Sequence, residues 1–128
     1  MLNKIVSKRF DAGSNYFASA VVAEFYRDGI EAHCDVTNPV LKHKRDLLVA
    51  GLENTLADIC VWSVPVGGLF LWLRMPDDVD IKKLTKIANE NNFYFANGKG
   101  FHVDYKDVPY IRLAFGHVQD HLIEEGIP

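Results

Sequence analysis

Arg112 stands in an otherwise apolar run, Tyr110-Ile111-Arg112-Leu113-Ala114-Phe115. Successive side chains of an extended strand point to opposite faces, so Ile111, Leu113 and Phe115 share one face and Arg112 projects from the other. A guanidinium is a rigid planar fork that grips a carboxylate through two parallel hydrogen bonds and keeps its charge at ordinary pH. An arginine fixed on a strand therefore has the chemistry to hold an acidic substrate. Taken alone, the run fits better an arginine on the wet face of a half-exposed sheet.

Other candidate chemistry is thin. Gly98-Lys99-Gly100 lacks the serine or threonine and the strand–loop–helix setting of a phosphate loop, and reads as a loop needing positive φ. His117 and His121 have the spacing of a helical metal pair on the final predicted helix. With no glutamate between them and no third ligand, they read as surface histidines. His102 follows Phe101 in the loop near Arg112, and a lone histidine there decides nothing. Cys34 and Cys60 lie far apart without metal-ligand or redox spacing and read as small apolar fillers in a reducing compartment. No serine, cysteine or carboxylate pair has the setting of a nucleophile or an acid–base dyad. No catalytic residue, cofactor-binding residue or metal ligand is assigned.

The elements that must position Arg112 follow from periodicity. Hydrophobic residues at 48% and charged residues at 24% of 128 suit one folded domain, not a disordered chain. Fourteen basic against seventeen acidic residues give a net charge of −3, with no basic block, so this segment shows no footprint for nucleic acid or an anionic membrane. No apolar stretch approaches a membrane span and no leader is signalled, which points to a cytoplasmic protein.

Residues 1–13 read as a lead-in segment. From Ser14 the pattern is helical: Phe17, Val21 and Phe25 recur at every fourth position, flanked by Ala18, Val22 and Tyr26, and Gly29 is a natural stop. Asn38-Pro39 reads as the cap and first position of a second helix, or as a kink in a longer one. Leu41, Leu47, Leu48, Leu52 and Leu56 form its apolar stripe, and Lys42, His43, Lys44 and Arg45 its solvated face. Strands are predicted over Ile59 to Val64 and Leu69 to Met75, separated by Pro65-Val66-Gly67-Gly68, with Trp62 and Trp72 packing across them. Asp80 caps a helix through Ile81, Leu84, Ile87 and Ala88 that Asn91-Asn92 closes. A short strand Phe93 to Ala96, a loop Asn97 to Phe101, the Arg112 strand and a helix with Leu122, Ile123 and Ile127 follow. The expected fold is α+β: a small sheet of about four strands covered by helices.

Pro65-Val66-Gly67-Gly68-Leu69-Phe70-Leu71-Trp72-Leu73-Arg74-Met75-Pro76 resembles the P-x-G-G-x-F-x-W-x-x-x-P segment of fold-type-I, pyridoxal-phosphate-dependent aminotransferases. Asn97-Gly98-Lys99-Gly100-Phe101 resembles that family's P-G-x-x-F loop, with Asn97 in place of the proline. Tyr110 to Phe115 and Glu124-Glu125-Gly126-Ile127 resemble its I-R-L-S-F strand and E-E-G-I helix. The resemblance runs over about residues 10–127 and is nearest to aminoadipate- and kynurenine-type aminotransferases and the aminotransferase-like domains of MocR-type regulators.

The resemblance implies that residues 14–128 are the smaller, C-terminal domain, with residues 1–13 leading in from a large domain that this chain lacks. It makes Arg112 the anchor of the substrate α-carboxylate, Gly67 and Gly68 the space-makers beside the cofactor, and Phe101 a pocket wall or simply core. Ser14 corresponds to a position near the neighbouring subunit's site. The family's cofactor, pyridoxal 5'-phosphate, is carried by a lysine in a Ser-Lys motif followed by Pro-Gly and Arg. Ser7-Lys8 is rejected for that role because Ala12 replaces the proline and the arginine is absent. The isolated chain is thus expected to be an excised or truncated domain, inactive and without covalently bound cofactor. The implied full-length protein is a homodimeric aminotransferase acting on amino acids and 2-oxo acids. A ligand-sensing domain of a MocR-type transcription regulator and a free-standing binding domain are the alternatives.

Overall fold

The computed structural model describes residues 15–127, so the expectations placed on Ser7, Lys8, Ser14 and the lead-in segment lie outside the described residues. Helix α1 spans Tyr16–Asp28 and α2 spans Ile30–Thr55. Strands β1 (Val61–Trp62) and β2 (Phe70–Arg74) precede helix α3 (Ile81–Glu90). Strand β3 (Ala96–Asn97), a 3-10 turn over Gly98–Phe101, strand β4 (Tyr110–Ala114) and helix α4 (Asp120–Gly126) complete the order. This is the α+β succession that the periodicities predict.

The chain divides into two compact units, one ending at Val40 and the other starting at Leu41. In the first, Asn15 caps α1, its side chain accepting from the Ala18 N–H at 3.0 Å. Its apolar positions are solvated: Phe17 is 78% exposed, and Val21 and Phe25 are exposed with it. Phe25 packs edge-on against His33, ring centres 5.4 Å apart.

Pro39 corrects the expected helix start. α2 runs through it without a new cap at Asn38. One interior proline forfeits a single backbone hydrogen bond, whereas ending one helix and beginning another leaves several N–H and C=O groups to be satisfied elsewhere. The unbroken helix is the smaller loss.

In the second unit the four strands form an antiparallel sheet in the order β1-β2-β4-β3. Pleating sends Leu71, Leu73, Ile111 and Leu113 to one face, where they meet Leu48, Val49 and Leu52 of α2, Ile123 of α4, Cys60 and Phe115. Leu52, Leu71, Leu73 and Phe115 are almost wholly buried, so each contributes roughly 1.5–3 kcal/mol of transfer free energy. Burial also pushes the Cys60 thiol up from its ordinary value.

Two members of the expected solvated face of α2 are instead drawn inward. Lys44, its side chain 15% exposed, donates to the Val118 carbonyl and pairs with Asp120 at 3.0 Å. Arg45 donates to the Pro65 carbonyl at 3.0 Å and pairs with Asp46 at 2.5 Å. Their long apolar stems lie along the domain while their charged heads find acceptors, which a sequence pattern registers only as polarity.

Asp80 caps α3 as expected, its carboxylate accepting from the N–H groups of Lys82 and Lys83. Asn91 and Asn92 close that helix, Asn92 with φ of 59°. The two tryptophans do not pack against each other. Trp62 stands opposite Leu73 and faces the core, whereas Trp72 stands opposite Arg112 on the other face. His117 precedes α4 and only His121 lies on it, so the two do not form a helical pair. No metal-ligand cluster occurs among the described residues.

Candidate functional site

The sheet face turned away from the core carries the site. Alternation along β2 places Phe70, Trp72 and Arg74 there, and along β4 Tyr110, Arg112 and Ala114. Antiparallel register then sets Trp72 directly opposite Arg112 and Phe70 opposite Ala114, diagonal to the arginine. Ala96 of β3 flanks Arg112 on its other side. The 3-10 turn after β3 brings Phe101 to the same face.

The guanidinium carbon of Arg112 lies 3.9 Å from the centre of the Phe70 ring and 4.6 Å from that of Phe101. Trp72 meets Phe101 edge-on at 5.0 Å and Tyr110 at 6.5 Å. Phe70, Trp72, Phe101 and Tyr110 are each more than a third exposed, so these rings form a solvent-facing aromatic surface around one cation.

Arg112 differs from the other described arginines in its partners. Arg27 pairs with Glu24, Arg45 with Asp46 and Arg74 with Asp77. Among the described residues no carboxylate lies within ion-pair reach of Arg112. Its donors are therefore available to an anion from outside the domain, on a face where aromatic rings have displaced part of the surrounding water.

Of the residues expected at the site, Arg112 and Phe101 come together. Gly67 and Gly68 lie in the loop leading into Phe70. Gly68 has φ of +83°, which an L side chain rarely adopts, and a Cβ at either position would meet open space. The Gly98-Lys99-Gly100 expectation is corrected, because neither glycine has positive φ. Gly98 is instead required by crowding: a Cβ there would lie 2.7 Å from Val108 Cγ2 and 2.9 Å from Tyr110 Cβ. Lys99 pairs with Asp107 at 3.1 Å.

Phe70 is the residue that sequence reasoning missed. Its spacing from Trp72 shows that the two share a face, but their meeting with Arg112 depends on β2 pairing with β4, strands far apart in the chain. A recess of about 340 Å³ lies elsewhere, lined by Asp77, Asp80, Lys82, Lys99 and Asp107 among others, and Arg112 takes no part in it.

No family model matches the chain. Over 127 residues it is 28% identical to aromatic-amino-acid aminotransferase 1 of Thermococcus litoralis, covering 97% of this chain and 30% of that protein. Over 80 residues it is 39% identical to the HTH-type transcriptional regulator NorG of Staphylococcus aureus, covering 62% of this chain and 18% of the regulator. It is also similar to the kynurenine aminotransferase of Pyrococcus horikoshii, solved with PMP, KYN and KYA. The TM-score is 0.75 and the identity 32%, over 84% of this chain and 27% of that one.

This is an aminotransferase-type C-terminal domain. It spans less than a third of the length of each of these relatives. Pyridoxal phosphate requires an amine for its carbonyl and donors for its phosphate. The neighbours of Arg112 in the aminotransferase-type domain are Phe70, Trp72, Ala96, Phe101, Tyr110 and Ala114, and no amine is among them. These residues do not fit attachment of the cofactor. They fit the grip of a carboxylate.

Proposed function

We propose that this domain serves a pyridoxal-phosphate-dependent aminotransferase, and that Arg112 holds the carboxylate of its amino-acid or 2-oxo-acid substrate. The observation carrying this reading is a strand-mounted guanidinium on an open aromatic face, with no carboxylate partner among the described residues. Its contribution is orientation. A two-pronged grip fixes the substrate's carboxylate and so the bearing of its α-carbon, which lowers the entropic part of the barrier. Gly67 and Gly68 leave the approach to this face unobstructed by side chains. When bound, the cofactor supplies an electron sink, and it is held by parts of the polypeptide other than these residues. On this reading the 128-residue chain has no turnover by itself, and the active protein is a homodimer.

Arg112→Lys in the full-length enzyme keeps the charge and removes the fork. A charge-assisted contact contributes about 1.5–3 kcal/mol, so the specificity constant falls roughly ten- to a hundredfold while cofactor affinity is retained. Steady-state kinetics with a cofactor titration checks this; parental kinetics in the lysine variant would leave Arg112 a structural residue.

Similarity to NorG favours a second reading, a ligand-sensing domain of a MocR-type transcription regulator that binds through the same arginine without turnover. A DNA-binding winged helix in the same polypeptide decides for it. Retained carboxylate binding with no amino-group transfer decides for it equally.

A further inference from the structure

We infer that Phe70 and Phe101 are positioning residues that clamp the Arg112 guanidinium, holding its fork ready for a carboxylate before one arrives. This inference rests on the proposed carboxylate-binding role of Arg112.

An arginine side chain has several rotatable bonds, and freezing it costs rotamer entropy. A free arginine that orders only on binding loses part of its grip to that cost. The other described arginines, Arg27, Arg45 and Arg74, pair with carboxylates. That solution occupies the same N–H donors that a substrate would need.

Arg112 is ordered differently. Two phenylalanine rings lie 3.9 and 4.6 Å from its guanidinium carbon. The face of a ring attracts a cation through its quadrupole but offers no lone pair, so the contact fixes the charge without using up hydrogen bonds. Phe101 is itself braced by the edge of Trp72 at 5.0 Å, and Phe70 is fixed by the pairing of β2 with β4. The clamp thus draws on strands β2 and β4 and on the 3-10 turn. Phe70 and Phe101 are 41% and 49% exposed, well short of the burial that the core leucines show on the other face.

The test reads the Arg112 side chain in the 128-residue chain by its Nε–H nuclear resonance, with 3-phenylpropionate as the carboxylate probe. Nearby ring faces should move that resonance away from the position of a freely hydrated arginine. Phe70→Leu and Phe101→Leu should each return it part of the way and weaken probe binding roughly two- to fivefold, the size of an exposed cation–π contact. Phe101→Tyr, which keeps the ring, should restore both. Circular dichroism verifies that each variant is folded.

If the leucine variants leave the resonance and the affinity unchanged while Arg112→Lys weakens binding, the clamp is refuted and the carboxylate role stands. If Arg112→Lys binds the probe as the parent does, the carboxylate role itself fails and the clamp falls with it.

Discussion

Gly98 and Arg112 illustrate two ways in which one residue commits a whole region. Gly98 is buried where the 3-10 turn crosses β4, with Val108 and the Tyr110 backbone oxygen within 3 Å of the place a Cβ would take. Gly98→Ala is therefore expected to destabilise the domain by about 1–3 kcal/mol, the usual cost of overpacking, and urea denaturation measures it. Gly100 has open space at the corresponding position, and Gly100→Ala serves as the control with little effect. Arg112 was legible as a candidate from alternation alone, since Ile111 and Leu113 take the core face as that pattern requires. What alternation could not supply was its neighbours. Phe70 and Phe101 reach it from distant parts of the chain, and the sequence holds no local signal of which strands pair.

Helices show the same division between local and distant causes. The cap at Asp80, the close at Asn91-Asn92 and the Leu48–Leu52 stripe are local, and each was readable. Of the two readings of Pro39, the helix start gives way, because its local preference lost to the continuity of α2, and the proline lies inside a longer helix. Pro39→Ala is exposed to a simple accounting. The proline costs about 3 kcal/mol inside a helix, and its stiffening of the unfolded chain returns about 1 kcal/mol. The alanine variant should be more stable by about 2 kcal/mol, with slower amide hydrogen exchange in the adjoining turns of α2. Equal or lower stability in denaturant would show that the helix does not bear that cost. Charged positions of α2 were misread for a different reason: Lys44 and Arg45 find their acceptors on Val118, Asp120 and Pro65, which no helical wheel displays.

Across the domain, ion pairs set how stability depends on pH. The Lys44 ammonium beside Asp120 holds its carboxyl below the ordinary aspartate value. Lys42 and Arg45 do the same for Asp46, and Lys99 and Lys82 for Asp107. A carboxyl whose folded value is depressed binds fewer protons folded than unfolded, so stability rises with pH through that window. The contribution is present above the ordinary aspartate range, near pH 4, and is lost as pH falls through the lower folded values. Urea midpoints should decline below about pH 4, and Asp120→Asn should flatten part of that decline; an unchanged slope would refute its share. The α+β order and the buried strand face were legible because each depends on residues near in sequence, while the antiparallel pairing of β2 with β4 depends on chain closure over Met75 to Pro109. One consequence of that sheet lies at its margins. β1 and β3, the outer strands, have two paired residues each, so each outermost edge of the sheet is very short. Strand-by-strand accretion of further chains, the route to fibrils, finds little template there, and association of this domain is steered toward broadside contact through its side chains.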